Sequence, residues 1–179
     1  MAATCQEGWV WWKLPRPFRR PKGLSDVLEW EAPSDDDKKR DYLLGMISPS
    51  HRRLLFQSAF SGPSTFPGYR RTRNGKQVLE LRFDNIAGCL RTPEGGSSRQ
   101  IVVLRDVEGN IRTRLLTVRE TARLMGAPES YQLPGSYNDG YKAMGDAVAV
   151  PAARWLARYV LEPLCRSAAG KDLYYAQAL

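Results

Sequence analysis

The chain has 179 residues and is 42% hydrophobic, enough for one ordinary domain or two small lobes with a real core. Its 27 Lys and Arg against 19 Asp and Glu leave a formal charge of +8, which suits a polyanionic partner and favours nucleic acid over membrane. No run approaches the ~20 apolar residues of a membrane span, the first seven residues lack signal-peptide features, and Cys5, Cys89, Cys165 and the single His51 argue against a disulfide framework or a structural zinc, so a cytoplasmic protein without metal is expected.

Residues 9–21 carry three Trp and three Pro, which predicts an extended docking segment, packed either on its own domain or on another chain. Residues 24–30 read as a short amphipathic piece, and residues 33–40, Pro-Ser-Asp-Asp-Asp-Lys-Lys-Arg, as a charged solvated loop. Ser48-Pro49 has the form of an N-cap followed by first-turn proline. It predicts a helix with Leu54, Leu55 and Ala59 inward, stopped by Ser61-Gly62-Pro63, and with His51 near its start as a surface or capping residue.

Residues 61–111 change to β character: turns at Pro67-Gly68, Asn74-Gly75 and 108–110 separate strand-like runs at 78–83 and 101–104. Thr117 and Glu120 are spaced as a capping box, predicting a helix that ends at Gly126 and Pro128, with Val118, Ala122 and Met125 on one face and Arg119 and Arg123 on another. A last helix is predicted over 148–161, with Ala152, Trp155, Leu156, Tyr159 and Val160 as its apolar stripe and a loose tail beyond Cys165. The expected class is α+β, divided as an arm with short helices over 1–60, a β-rich lobe over 61–111, a helical segment over 112–166 and a tail over 167–179.

Three ordered blocks carry a resemblance. Residues 114–128, Arg-Leu-Leu-Thr-Val-Arg-Glu-Thr-Ala-Arg-Leu-Met-Gly-Ala-Pro, are similar to the ninth motif of the DNA cytosine-5 methyltransferases, and residues 141–148, Tyr-Lys-Ala-Met-Gly-Asp-Ala-Val, to the tenth, usually Gly-Asn-Ser/Ala-Val. Residues 86–96, Ile-Ala-Gly-Cys-Leu-Arg-Thr-Pro-Glu-Gly-Gly, resemble the end of the family's target recognition region, with Cys89-Leu90 in the place of a Thr-Leu pair. The likeness covers residues 66–164 at motif strength and 9–60 loosely.

The resemblance implies a lobe that reads DNA in the major groove and a long C-terminal helix that packs on a cofactor domain not present in this chain. By position, Tyr69, Arg70, Arg71, Arg73 and Lys76 form one basic loop and Arg91, Thr92, Ser97, Ser98, Arg99 and Gln100 a second, glycine-rich one, some of them reading bases and others touching phosphate only. Gly145, Asp146, Ala147 and Val148 would line S-adenosylmethionine, although Asp146 replaces the usual Asn and could instead cap the last helix. Thr117, Arg119, Glu120 and Arg123 would organise the lobe, the two arginines through buried or interface ion pairs.

The family's chemistry needs a Pro-Cys nucleophile and a Glu-Asn-Val glutamate that holds cytosine N3. Neither tripeptide context occurs here: Cys5 follows Thr, Cys89 follows Gly and is read as a small buried residue, and Cys165 follows Leu. The expected role is therefore the recognition and closing subunit of a split enzyme, inactive until a partner supplies the cysteine, in a bacterial or phage-like setting on double-stranded DNA. A non-catalytic DNA-binding module or a piece of a longer enzyme are the alternatives.

Overall fold

The computed structural model describes residues 14–17, 22–57, 64–92, 99–133 and 135–168. The helix stop at 61–63, Ala59, Ser97, Ser98, the tail 169–179 and all of the aromatic arm except 14–17 lie outside the described residues. Residues Arg20–Ala149 form one compact unit, and the residues from Val150 belong to a second.

A four-stranded antiparallel sheet in the order β2-β1-β3-β4 organises the first unit: β1 (Ser64–Arg73), β2 (Lys76–Leu81), β3 (Ile101–Arg105) and β4 (Ile111–Leu115). Both faces are covered. Leu43, Ile47, Leu55, Phe66, Leu79, Leu81, Ile101, Val103 and Ile111 pack on one side. Leu24, Val27, Leu28, Val102, Leu104 and Leu116 pack on the other. Central strand β3 is buried on both faces, which is why its sequence is an unbroken apolar run rather than an alternation.

The Pro67-Gly68 turn predicted from sequence is corrected: both residues lie inside β1. Gly68 is where β1 changes partners, pairing with Leu81 of β2 and with Ile101 of β3. A Cβ on Gly68 would stand 2.7 Å from Leu81 Cδ2, so close strand packing, not turning, selects glycine here. Asn74-Gly75 does form the expected two-residue hairpin, with φ of 49° and 74°, both in the left-handed region a type I′ turn needs. The strand at 111–115 went unread because it is short and two of its five residues are arginines, of which Arg114 is in fact buried.

Residues 33–40 are not simply a loop: helix α1 runs Asp37–Gly45, with the Asp36 carboxylate accepting from Lys39 N at 2.7 Å. Charged spacing that looks solvated is compatible with a surface helix when a cap and an i,i+3 pair, here Arg40 with Asp37, support it. Helix α2, Pro49–Phe56, begins at the expected Ser48 cap; Leu55 is buried and Leu54 exposed. His51 is not merely superficial, since its Nδ1 accepts from Leu81 N at 3.4 Å and its ring meets Phe83 edge-on.

Helix α3, Val118–Met125, has the predicted reciprocal cap between Thr117 and Glu120 and ends at Gly126 with φ of 81°. Helix α4, Tyr137–Asp146, capped by Ser136, was not anticipated because Asn138, Asp139 and Gly140 read as breakers. Gly140 allows α4 to touch α3: a Cβ there would lie 2.5 Å from Val118 Cγ1. In the second unit the last helix starts at Val150 rather than 148 and extends to Ala168, as α5 (Val150–Leu156), a wide π turn (Ala157–Leu161) and α6 (Glu162–Ala168). Leu156, Leu161 and Leu164 on it are exposed. Asp146 closes α4 and does not cap this helix.

At the junction of β4 and α3, Arg114 donates through two nitrogens to Glu120 at 2.8 and 2.7 Å, with side chains 3% and 0% exposed. Glu120→Ala would leave the guanidinium buried and uncompensated, at a cost of about 3–5 kcal/mol. The joint replacement Arg114→Met/Glu120→Leu should be less damaging than Glu120→Ala in urea unfolding, and a double variant as unstable as the single one would show that packing and the backbone donors Glu120 also holds, not the buried charge, dominate here.

Candidate nucleic-acid interface

The outer half of the β1–β2 hairpin projects past the core. Opposed residues in an antiparallel pair share a face, so the register puts Tyr69, Arg71, Arg73, Lys76, Val78 and Glu80 on one side and Arg70, Thr72 and Gln77 on the other. Residues 70–77 are all exposed. The first face is ordered by its own contacts. Arg73 Nε donates to Glu80 at 2.6 Å, Arg71 Nε lies 4.0 Å from the same carboxylate, and the Arg71 guanidinium sits over the Tyr69 ring at 5.4 Å. The hydrogen bond from Arg73 holds the Glu80 carboxyl below its usual range. Beside this face runs a groove of about 570 Å³ bordered by Ser48, His51, Tyr69, Arg71, Arg73, Glu80, Arg82 and Cys89.

Of the predicted DNA-facing residues, Arg70, Arg71, Arg73, Lys76 and Arg91 are exposed, and Thr92 and Arg99 are half-buried. Two are corrected. Gln100 is fully buried, with its N–H donating to Tyr141 Oη at 2.8 Å and its Oε1 accepting from Tyr69 at 3.0 Å, so it cannot reach a base edge from this position. Tyr69 spends its hydroxyl on the Cys89 carbonyl and Gln100, and is a brace under the arginines rather than a reader. Cys89 itself is exposed, not buried, and the neighbouring Gly88 lies against the Tyr69 ring, where a Cβ would stand 2.4 Å from Cε2.

The tenth-motif residues lie at the end of α4. Asp146, Ala147 and Val148 are exposed, and the Asp146 carboxylate accepts from Thr92 Oγ1. A Cβ on Gly145 would stand 2.6 Å from Thr92 N, so this glycine admits the 91–92 backbone. These four residues do not by themselves enclose a cofactor the size of S-adenosylmethionine: one carboxylate is already used and the others offer an open edge. Among the described residues no group of three His, Cys, Asp or Glu side chains could hold a metal ion, and no helix is long and apolar enough to cross a membrane.

In the ninth-motif helix, Arg123 pairs with Glu129 at 2.7 Å, lies 3.7 Å from Glu29 and donates to the Val27 carbonyl, half-exposed rather than buried. Arg119 donates to the Tyr131 carbonyl in place of the expected ion pair. The buried pairing belongs to Arg114 and Glu120, a pair that sequence reasoning missed. Glu80, Asn138 and Tyr141 were missed as well; counting register outward from the Asn74-Gly75 turn would have placed Glu80 opposite Tyr69.

An antiparallel sheet bearing a basic hairpin is braced here against a capped helix and a second helix. The comparisons give the family. The model of C-5 cytosine-specific DNA methylases matches residues 61–162. The chain is 46% identical over 129 residues to DNA (cytosine-5)-methyltransferase CMT2 of Oryza sativa, covering 70% of this chain and 9% of that protein. Type II methyltransferase M.HpaII of Haemophilus parainfluenzae is 33% identical over 103 residues, 51% of this chain and 29% of that one. Type II methyltransferase M1.ScrFI of Lactococcus lactis is 43% identical over 58 residues, 32% and 15%. The chain belongs to the C-5 cytosine-specific DNA methylase family and spans less than a third of the length of each of these relatives.

Three phenols near the hairpin root make stability sensitive to alkali. Burial, with Tyr141 close by, raises Tyr69 well above the ordinary value near 10 and pushes Tyr137 up to about 12, and burial also raises Tyr141. Each ionises more readily unfolded than folded, so its contribution is complete below about pH 10 and is lost as pH rises through the folded values. The urea midpoint should hold between about pH 8 and 9 and then fall; Tyr137→Phe should flatten that fall, and an unchanged alkaline slope would show that Tyr137 does not contribute.

Proposed function

We propose that this chain is the DNA target-recognition and cofactor-domain-closing part of a DNA (cytosine-5-)-methyltransferase. It acts either as a subunit of a split enzyme or as the corresponding part of a longer one. The observation that carries the reading is the fixed basic hairpin, whose exposed Arg71 and Arg73 are held in one orientation by Glu80 and Tyr69. Fixed guanidinium planes suit bidentate contacts to guanine in the major groove, while Arg70, Lys76 and Arg91 supply phosphate contacts that set register. Methyl transfer to cytosine C5 then requires a partner domain with the nucleophilic cysteine, the N3-holding glutamate and the binding site for S-adenosylmethionine. When bound, that cofactor supplies a methyl group on a sulfonium. This chain's contribution on that side is the open edge at Ala147 and Val148, with the family's long last helix packing on the partner.

Two measurements test this. Titration of a labelled duplex across salt should give a slope of roughly −2.5 to −3 if Arg70, Lys76 and Arg91 meet phosphates, and Lys76→Ala should reduce its magnitude by about 1 without changing sequence preference. Mixing the chain with a catalytic domain that carries Pro-Cys and Glu-Asn-Val should transfer labelled methyl groups to DNA, where neither component does so alone. Duplex binding without any transfer in the mixture would identify instead a DNA-binding module lacking enzymatic output, and activity of this chain alone, abolished by Cys5→Ala, would overturn the division of labour.

A further inference from the structure

Two stems flank residues 93–98, Arg91–Thr92 on one side and Arg99–Gln100 on the other, and both are fastened to α4. At the first stem, Thr92 Oγ1 donates to Asp146 and the backbone of Arg91 and Thr92 rests on Gly145, with Thr92 N and the Arg91 carbonyl carbon 2.6 and 2.8 Å from where a Cβ would be. At the second, Arg99 donates to Asn138 Oδ1 at 2.6 Å and sits over the Tyr137 ring, while Gln100 N–H donates to Tyr141 Oη at 2.8 Å. Asn138, Tyr141 and Gly145 recur at i, i+3 and i+7, one stripe of α4, and Asp146 ends it.

Gln100 ties this seat to the rest of the lobe. Its Oε1 accepts from Tyr69, which carries Arg71, and its carbonyl accepts from Leu116 N at the entrance to α3. The hairpin and α4 therefore share one fully buried residue. Such a position transmits displacement, because a buried polar group that loses a partner has no water to replace it.

We propose that α4 is the seat of both stems, and that Asp146, where the tenth motif of the family usually has Asn, is a positioning residue for DNA recognition that acts through Thr92 on Arg91. The proposal rests on the reading of this lobe as DNA-facing. It explains the departure from the motif: the hydroxyl of Thr92 is a donor, and a carboxylate is a stronger acceptor for it than an amide oxygen. It also gives Gly145 a requirement independent of any cofactor, since any side chain there collides with backbone that cannot give way.

The test uses the full chain with Asp146→Ala, Asp146→Asn, Thr92→Val and the Thr92→Val/Asp146→Ala double variant. Backbone amide exchange and selection from a pool of randomised duplexes are both read. Asp146→Ala should speed exchange at residues 90–92 about tenfold, Thr92→Val should do the same, and the double variant should be no faster than either. Asp146→Asn keeps an acceptor oxygen but a weaker one, and should fall between the unsubstituted chain and Asp146→Ala. In selection, the sequence enriched by the unsubstituted chain should lose enrichment about tenfold with Asp146→Ala, while affinity for the unselected pool changes less than twofold.

Unchanged exchange at 90–92 in Asp146→Ala, or additive effects in the double variant, would overturn the anchoring. Loosened stems with enrichment intact would overturn the positioning role and leave DNA recognition standing. If the unsubstituted chain binds duplex but enriches nothing, the recognition reading itself fails, while the exchange data still decide whether Asp146 holds the stem. Thr92→Val is nearly isosteric, so a fold lost in Asp146→Ala does not remove the measurement.

Discussion

The carboxylate of Glu120 is the point to which the lobe is tied. It accepts from both terminal nitrogens of Arg114, from Thr117 N at 2.7 Å and from Glu29 N at 2.6 Å, which fills its lone-pair directions with charge-assisted or backbone donors. Arg114 in turn donates to the Glu29 carbonyl at 2.9 Å, and Thr117 Oγ1 donates to the Glu29 side chain at 2.6 Å. One ion pair thereby joins the last strand, the ninth-motif helix and the segment before α1. A charge buried this deeply survives only because every element arrives with its donor already aimed. That mutual dependence makes the three elements one cooperative object rather than neighbours in contact.

Upon this frame the functional parts are hung by lighter contacts. The hairpin leaves the core at Leu79 and Leu81, where its edge strand is covered on one side: Leu79 N donates to the Met46 carbonyl at 2.9 Å and Leu81 N to His51. Helix α4 reaches α3 through Gly140 and the hairpin root through Tyr141. Motifs that lie about twenty residues apart in sequence, the ninth and the tenth, are thus parts of one platform.

Much of this was legible in the sequence where a short-range rule decides the matter. The Ser48-Pro49 start, the Thr117/Glu120 capping box, the Gly126 stop and the Asn74-Gly75 hairpin depend on a few adjacent residues and stood as read. What failed depended on tertiary partners. Pro67-Gly68 reads as a turn unless β3 is known to lie alongside, and Arg114 shows no sign of burial unless Glu120 is known to wait beside it. Gln100 is typed as a surface reader by its position in the resemblance and is buried where Tyr69, Leu116 and Tyr141 converge on it. The fold class, a β-rich lobe followed by helices, was recoverable; the roles of individual polar residues within it were not, since burial of a polar group is decided by long-range pairing.

The partial covering of β2 has a consequence for how such a lobe diversifies. Inside Leu79 the strand is locked to Met46 and to the core, whereas residues 70–77 are exposed and their strand partners all lie within the hairpin. The hairpin can therefore be lengthened or shortened by two residues on each strand, and the pleat will return every side chain beyond the change to its former face. An odd change would invert the fan of arginines and bring Arg70 to where Arg71 stands. Changes of length that keep the arginines on their face are confined by this to even steps, a quantised reach on an unmoved base.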